Sequence, residues 1–224
     1  QGVSSAASDV YKRQRMDLPA GAVNLILGGR ILGDHLVRND VFRKVSFTGS
    51  SASGLAVAQL CAQRFARVTL ELGGKSSAIL LDDVDFTEVK DQLWLAMLQN
   101  NGQVCGAQSR VLIPKSRAPE LRAALREMFE ETVVGDPRLP ETGVGPVVTA
   151  AAANRIRNTC TESASQGAVL VSGTREESDE SATVSPRLYE VEDSVADVWN
   201  EELFGPVACL SLIHISEPTR RRGI

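Results

Sequence analysis

The chain has 224 residues, 43% of them hydrophobic, so it can bury a sizeable core as one large domain or parts of two. Its formal net charge is only −4, which argues against a nucleic-acid partner, and no apolar run is long enough to span a bilayer. Four widely spaced cysteines without a CxxC pair, and only two histidines, argue against a zinc site, a redox dithiol or a multi-histidine metal centre. In a chain this large the thiols are expected to be reduced, as in the cytoplasm.

Both ends look foreign to the fold. "QGVSSAASDVYKRQ" (1–14) lacks a signal-peptide pattern, and "IHISEPTRRRGI" (213–224) turns abruptly polar and basic after an apolar segment. Both are expected to be non-native read-through and are set aside. A basic tail for an anionic partner, at Arg220, Arg221 and Arg222, is the other reading.

In chain order, "AVNLIL" predicts a buried strand ended by Gly28 and Gly29. His35, in "GDHLVRND", fits a helix or loop. "RKVSFTGS" predicts a strand, "SASGLAVAQLCAQRF" a helix and "RVTLELGG" another strand. Strand, helix and strand at this spacing predict parallel strands joined by a right-handed crossover. "SSAILLDD" predicts a strand, and "DFTEVKDQLWLAMLQNNG" a capped helix running towards Gly102. "SRVLIP" reads as a strand, "APELRAALREMFEETVV" as an amphipathic helix and "GDPRLPETGVGP" as a loop. A helix over 148–164 and the strand "GAVLVSG" follow. "TREESDESA" reads as an acidic surface loop, and the strands "SPRLYEV" and "PVACLSL" flank the turn "NEELFGP". The alternation predicts an α/β protein.

Three places stand out chemically. Cys105 lies in "QNNGQVCGAQSR", among amides, glycines and small residues, where a nucleophilic thiol has access; Cys61, Cys160 and Cys209 read as packing residues. Glu71 interrupts an apolar strand near its carboxyl end, where ligands bind in open α/β sheets. A partly desolvated carboxylate there would have a raised pKa and could act as a general base, while a solvated or salt-bridged edge residue fits equally. The turn Thr48-Gly49-Ser50 leads into a helix N-terminus that can favour a phosphate, or simply be capped by Ser50. Gly54 would let that helix pack closely on the sheet.

"FTGS", "LELGGKS", "NNGQVC", "VGDP" before "VGP", and "EELFGPV", in that order, resemble the aldehyde dehydrogenase superfamily over roughly residues 17–212. The resemblance implies part of a Rossmann-like cofactor domain over 15–73, then most of an α/β catalytic domain with a mainly parallel sheet over 74–212. It implies an NAD- or NADP-dependent oxidoreductase acting on a small aldehyde. Cys105 matches the family's nucleophile and Glu71 the base that activates water for deacylation. Gly49 and Ser50 match the turn at the cofactor pyrophosphate, and Leu72 and Gly73 match residues beside the nicotinamide. Glu202 matches the carboxylate on the nicotinamide ribose, and Phe204 the aromatic beside the ring. Lys75 and Gln103 are family-typical without an assigned role.

The family's chain is longer and its members form homo-oligomers. The upstream half of the cofactor domain, with an oxyanion-hole asparagine and the lysine segment that reads the adenosine ribose, has no counterpart here. The same holds for the end of the catalytic domain and the oligomerisation arm. "TREESDESA" stands where the family more often has glycines and an aromatic. These departures predict a fragment that is poorly folded or inactive alone. A CoA-acylating semialdehyde dehydrogenase and a catalytically silent relative are the alternatives. A cysteine hydrolase would have to use His35.

Overall fold

A computed structural model of the chain describes residues 19, 21–173, 181–192 and 195–212. Both terminal segments, His214 and most of the acidic loop (174–180) lie outside the described residues. The chain divides into two compact units. One comprises the described residues up to Thr48 together with Ala52–Leu70, and the other Gly49–Ser51 with the described residues from Glu71 onwards.

The first unit holds α1 (Arg30–Arg38) and all but the ends of β1 (Lys44–Gly49), α2 (Ser51–Ala62) and β2 (Arg67–Leu72); Gly49, Ser51, Glu71 and Leu72 count with the second. β1 and β2 form a two-stranded sheet. The Arg67 N–H donates to the Arg43 carbonyl at 3.1 Å, so the strands start side by side and run the same way, as the strand–helix–strand spacing predicts. Gly54 and Cys61 are the buried residues of α2. The predicted strand "AVNLIL" does not form. Residues 24–29 have no regular structure, and Leu25, Ile26 and Leu27 are 56%, 56% and 83% exposed. A strand needs a neighbour for its ladder, and no described strand pairs with this segment.

The second unit adds β3 (Ser77–Ile79), α3 (Phe86–Leu98), β4 (Arg110–Ile113), α4 (Ala118–Glu130), α5 (Ala150–Ser165), β5 (Val169–Ser172), β6 (Arg187–Glu190), α6 (Asp197–Asn200) and β7 (Val207–Leu212). Its sheet has the order β3-β4-β7-β6-β5, parallel except for antiparallel β5 at the edge. Alternation along β7 explains the layering. Ala208 and Leu210 enter one hydrophobic cluster with α3 and α4, and Val207 and Cys209 enter another with α5. A central strand covered on both faces is apolar throughout, as "VACL" is.

The helices follow from their sequences. Asp85 caps α3, its carboxylate accepting from the Thr87 N–H at 2.9 Å, and Thr149 caps α5 by accepting from Ala152 N–H at 3.1 Å. Pro119 opens α4, where its missing N–H costs nothing, and Leu121, Leu125 and Met128 recur on the buried stripe. The predicted helix towards Gly102 stops at Leu98. A short 3₁₀ segment follows, with left-handed Asn100 (φ 52°) and Asn101 (φ 60°), because asparagine and glycine tolerate that conformation best.

Candidate active site

β2 ends in Glu71 and Leu72, followed by Gly73. A Cβ on Gly73 would overlap the Glu202 carboxylate, so only a hydrogen leaves room for that side chain. Two segments far apart in sequence, "LELGG" and "EELFGP", therefore meet. One carboxylate oxygen of Glu202, Oε1, is buried and accepts no hydrogen bond.

"NNGQVC" joins the same neighbourhood. Gly102 is left-handed (φ 70°), and a Cβ there would strike the Gly205 carbonyl. Gly205 is itself pressed against Ile156. Backbone thus packs on backbone between the turn preceding Cys105 and the turn containing Phe204. Phe204 is a left-handed non-glycine residue (φ 54°) and is 41% exposed. Such a conformation in a bulky residue marks a site where surrounding structure overrules local preference.

Gly74, Lys75, Val104, Ala107, Glu202 and Phe204 are among the residues lining a narrow cleft with room for about one water molecule. Cys105 lies in a turn in which Ala107 N–H donates to the Val104 carbonyl at 3.0 Å, between two of those lining residues. It is the one exposed thiol among the four, none of them in a disulfide; Cys61, Cys160 and Cys209 are buried. Burial pushes the Cys209 thiol up to about 11, against the attraction of Lys75 and Arg110, which suits a packing residue.

Of the two readings left open for Glu71, the structure shows the solvated one: its side chain is exposed at the end of β2 and does not line the cleft. The physical reason is local: β2 pairs only with β1, in a sheet of two strands with outward-facing residues at 67–69 and at 71. Cys105 does not line the cleft either, although its neighbours do. Leu72 and Gly73 are half-buried. Gly49 ends β1, and Ser50 stands exposed just before α2, the strand–turn–helix arrangement read from the sequence.

Lys75 has no role legible in the sequence, yet its ammonium nitrogen is buried without a hydrogen-bond partner at the same cleft. Burial pushes its pKa below the usual lysine range. Cys209, Cys160 and Glu202 oppose that shift, and Arg110 adds to it. The signal available beforehand was a lysine directly behind two glycines at a strand end. The left-handed turn also had a signal, the tripeptide "NNG".

Residues 6–217 match the aldehyde dehydrogenase family. This chain belongs to that family. It is 36% identical over 196 residues to a geranial dehydrogenase of Castellaniella defragrans, covering 88% of this chain and 41% of that protein. The structure is similar to that of a Mycobacterium tuberculosis aldehyde dehydrogenase complexed with NAD+ (TM-score 0.86, 32% identity, 95% of this chain and 44% of that one). It is also similar to a succinic semialdehyde dehydrogenase of Streptococcus pyogenes complexed with NADP+ (TM-score 0.77, 26% identity, 83% and 41%). The chain thus spans less than half the length of these relatives. No helix among the described residues is long and apolar enough to cross a membrane, and no three potential metal ligands cluster there.

Proposed function

We propose that the complete protein oxidises an aldehyde to a carboxylic acid with NAD or NADP, using Cys105 as nucleophile and Glu71 as general base. The observation that carries this reading is the meeting of three motif segments around one cleft, with the single exposed thiol in the turn beside it.

The residues present fit a nicotinamide dinucleotide. Glu202 Oε1 is a buried acceptor without a donor, suited to a ribose hydroxyl, and the exposed Phe204 ring offers an apolar wall to a planar group. Gly49 and Ser50, ahead of the α2 N-terminus, would take the pyrophosphate. The bound cofactor supplies the hydride acceptor.

The chain's own residues do the rest. Cys105 Sγ, as thiolate, adds to the aldehyde carbon, and the oxyanion formed is within the natural reach of its own backbone N–H. Loss of hydride from that carbon leaves a thioester on Cys105. Glu71 takes a proton from water, the resulting hydroxide adds to the thioester, and the Cys105 thiolate leaves as the acid forms. The exposure of Glu71 suits contact with solvent water.

Glu71→Gln in the complete protein tests both roles. The expected result is a burst of reduced cofactor equal to about one turnover per site, then a rate at least about 100-fold below wild type. Steady turnover at the wild-type rate would contradict the base assignment. A product that appears only with CoA would point instead to the acylating alternative.

A further inference from the structure

We propose that Asn101 is a positioning residue, a side-chain strut that fixes the turn carrying Cys105 against the 145–148 loop; this rests on the reading of Cys105 as nucleophile.

Asn101 sits in the middle of three consecutive left-handed residues, Asn100, Asn101 and Gly102. Its amide uses both ends on one partner segment. Oδ1 accepts the Gly145 N–H at 2.7 Å, and Nδ2 donates to the Pro146 carbonyl at 3.0 Å. Gln103 adds a third tie, its Oε1 accepting the Val148 N–H at 2.9 Å. Val148 directly precedes Thr149, the cap of α5, so the partner segment is anchored to a helix with a buried face.

On its other side the turn is held by the approach of Gly102 to the Gly205 carbonyl. Asn100 closes it internally, Nδ2 donating to the Gln103 carbonyl at 3.1 Å. Cys105 is thus two residues beyond a segment gripped from both sides, although its own side chain is exposed. Three left-handed residues in a row are costly for a chain to hold. The two-ended amide bond is what selects this turn over relaxed alternatives. Fixing a nucleophile within a fraction of an ångström is worth orders of magnitude in rate.

The test uses the complete protein with a nitroxide attached at Cys105 through a disulfide. Cys61, Cys160 and Cys209 are buried, so their failure to label certifies the fold. Asn101→Gly keeps the left-handed backbone free of strain and removes both bonds. Asn101→Asp keeps the acceptor for Gly145 N–H.

The expected result is a label whose rotational correlation time falls by about threefold or more in Asn101→Gly, with less than half that change in Asn101→Asp. If Asn101→Gly exposes the buried thiols, Asn101→Asp decides alone: a correlation time between wild type and that of an unfolded chain supports the strut. Superimposable spectra for both variants and wild type, with the buried thiols protected, would overturn it.

In the complete protein, Asn101→Gly should lower kcat about tenfold or more, with the aldehyde KM within about twofold. Unchanged kcat where Cys105→Ser is dead overturns the strut and leaves the nucleophile. An active Cys105→Ser overturns the nucleophile, and with it the reason for the strut.

Discussion

The two units are built from similar sequence material and end in opposite states. Unit two places Leu98, Ile113, Leu121, Leu125 and Leu210 at full burial in one cluster on the α3 and α4 face of a five-stranded sheet. Unit one, with β1 and β2 only, leaves Leu27 83%, Ile31 89%, Val41 74% and Phe65 97% exposed. Apolar patterning announces which surface wants cover, and the number of sheet neighbours decides whether cover exists. A two-stranded sheet is at the margin of independent stability, so unit one is the part expected to yield first.

The largest contrast is predicted for truncation of equivalent side chains. Leu210→Ala removes a fully buried group between α3 and α4 and should cost about 2–5 kcal/mol in denaturant unfolding. Leu27→Ala should change stability by no more than about 0.5 kcal/mol. Equal costs would erase the distinction between the units. Hydrogen exchange sharpens it: the amides of Val45 and Phe47 in β1 should exchange far faster than those of Val111 and Leu210, and equal protection would contradict an open first unit.

The same distinction explains what could be read from the sequence. β1, β2, β4 and β7 were legible because alternation or a short apolar run bounded by turn residues identifies a strand wherever a partner exists. "AVNLIL" has the same signature, but its partner is not among the described residues, and no local pattern reveals that. The exposure of Glu71 has the same origin, since burial of a strand face depends on what lies across it. The expected run of α3 towards Gly102 ends early because "QNNG" continues a helical register until two asparagines turn left-handed. Lys75 shows a further limit: the groups that act on its charge, Cys209, Arg110, Cys160 and Glu202, are all far from it in sequence.

Smaller effects should appear at the glycines of the candidate site. Gly102→Ala collides with backbone that cannot swing aside, so it should cost about 1–3 kcal/mol and depress the second unit specifically. Gly73→Ala collides only with the end of the Glu202 side chain. Its melting temperature should stay near wild type while the complete protein's KM for cofactor rises about tenfold. A matching loss of stability in Gly73→Ala would show that this glycine serves the fold rather than the site.

The smallest predicted effect concerns Lys75. Its pKa is lowered in the folded chain, so the native state releases its proton before the unfolded state does. Below the folded pKa the buried ammonium therefore costs stability, and that cost fades as pH rises towards the ordinary lysine value. Lys75→Met should be neutral or stabilising at pH 7, and the difference between variant and wild type should shrink with rising pH. A difference that grows with pH would show that Lys75 is held by a partner rather than strained by burial.

The most direct measurement is aldehyde-dependent reduction of NAD or NADP by the complete protein carrying Cys105→Ser, beside Cys209→Ser as a control. The expected result is a loss of at least about 10³-fold for the first, and for the second no loss beyond what reduced stability explains. Turnover by Cys105→Ser within about tenfold of wild type would contradict it, because the exposed sulfur beside the cleft would then take no part in the chemistry.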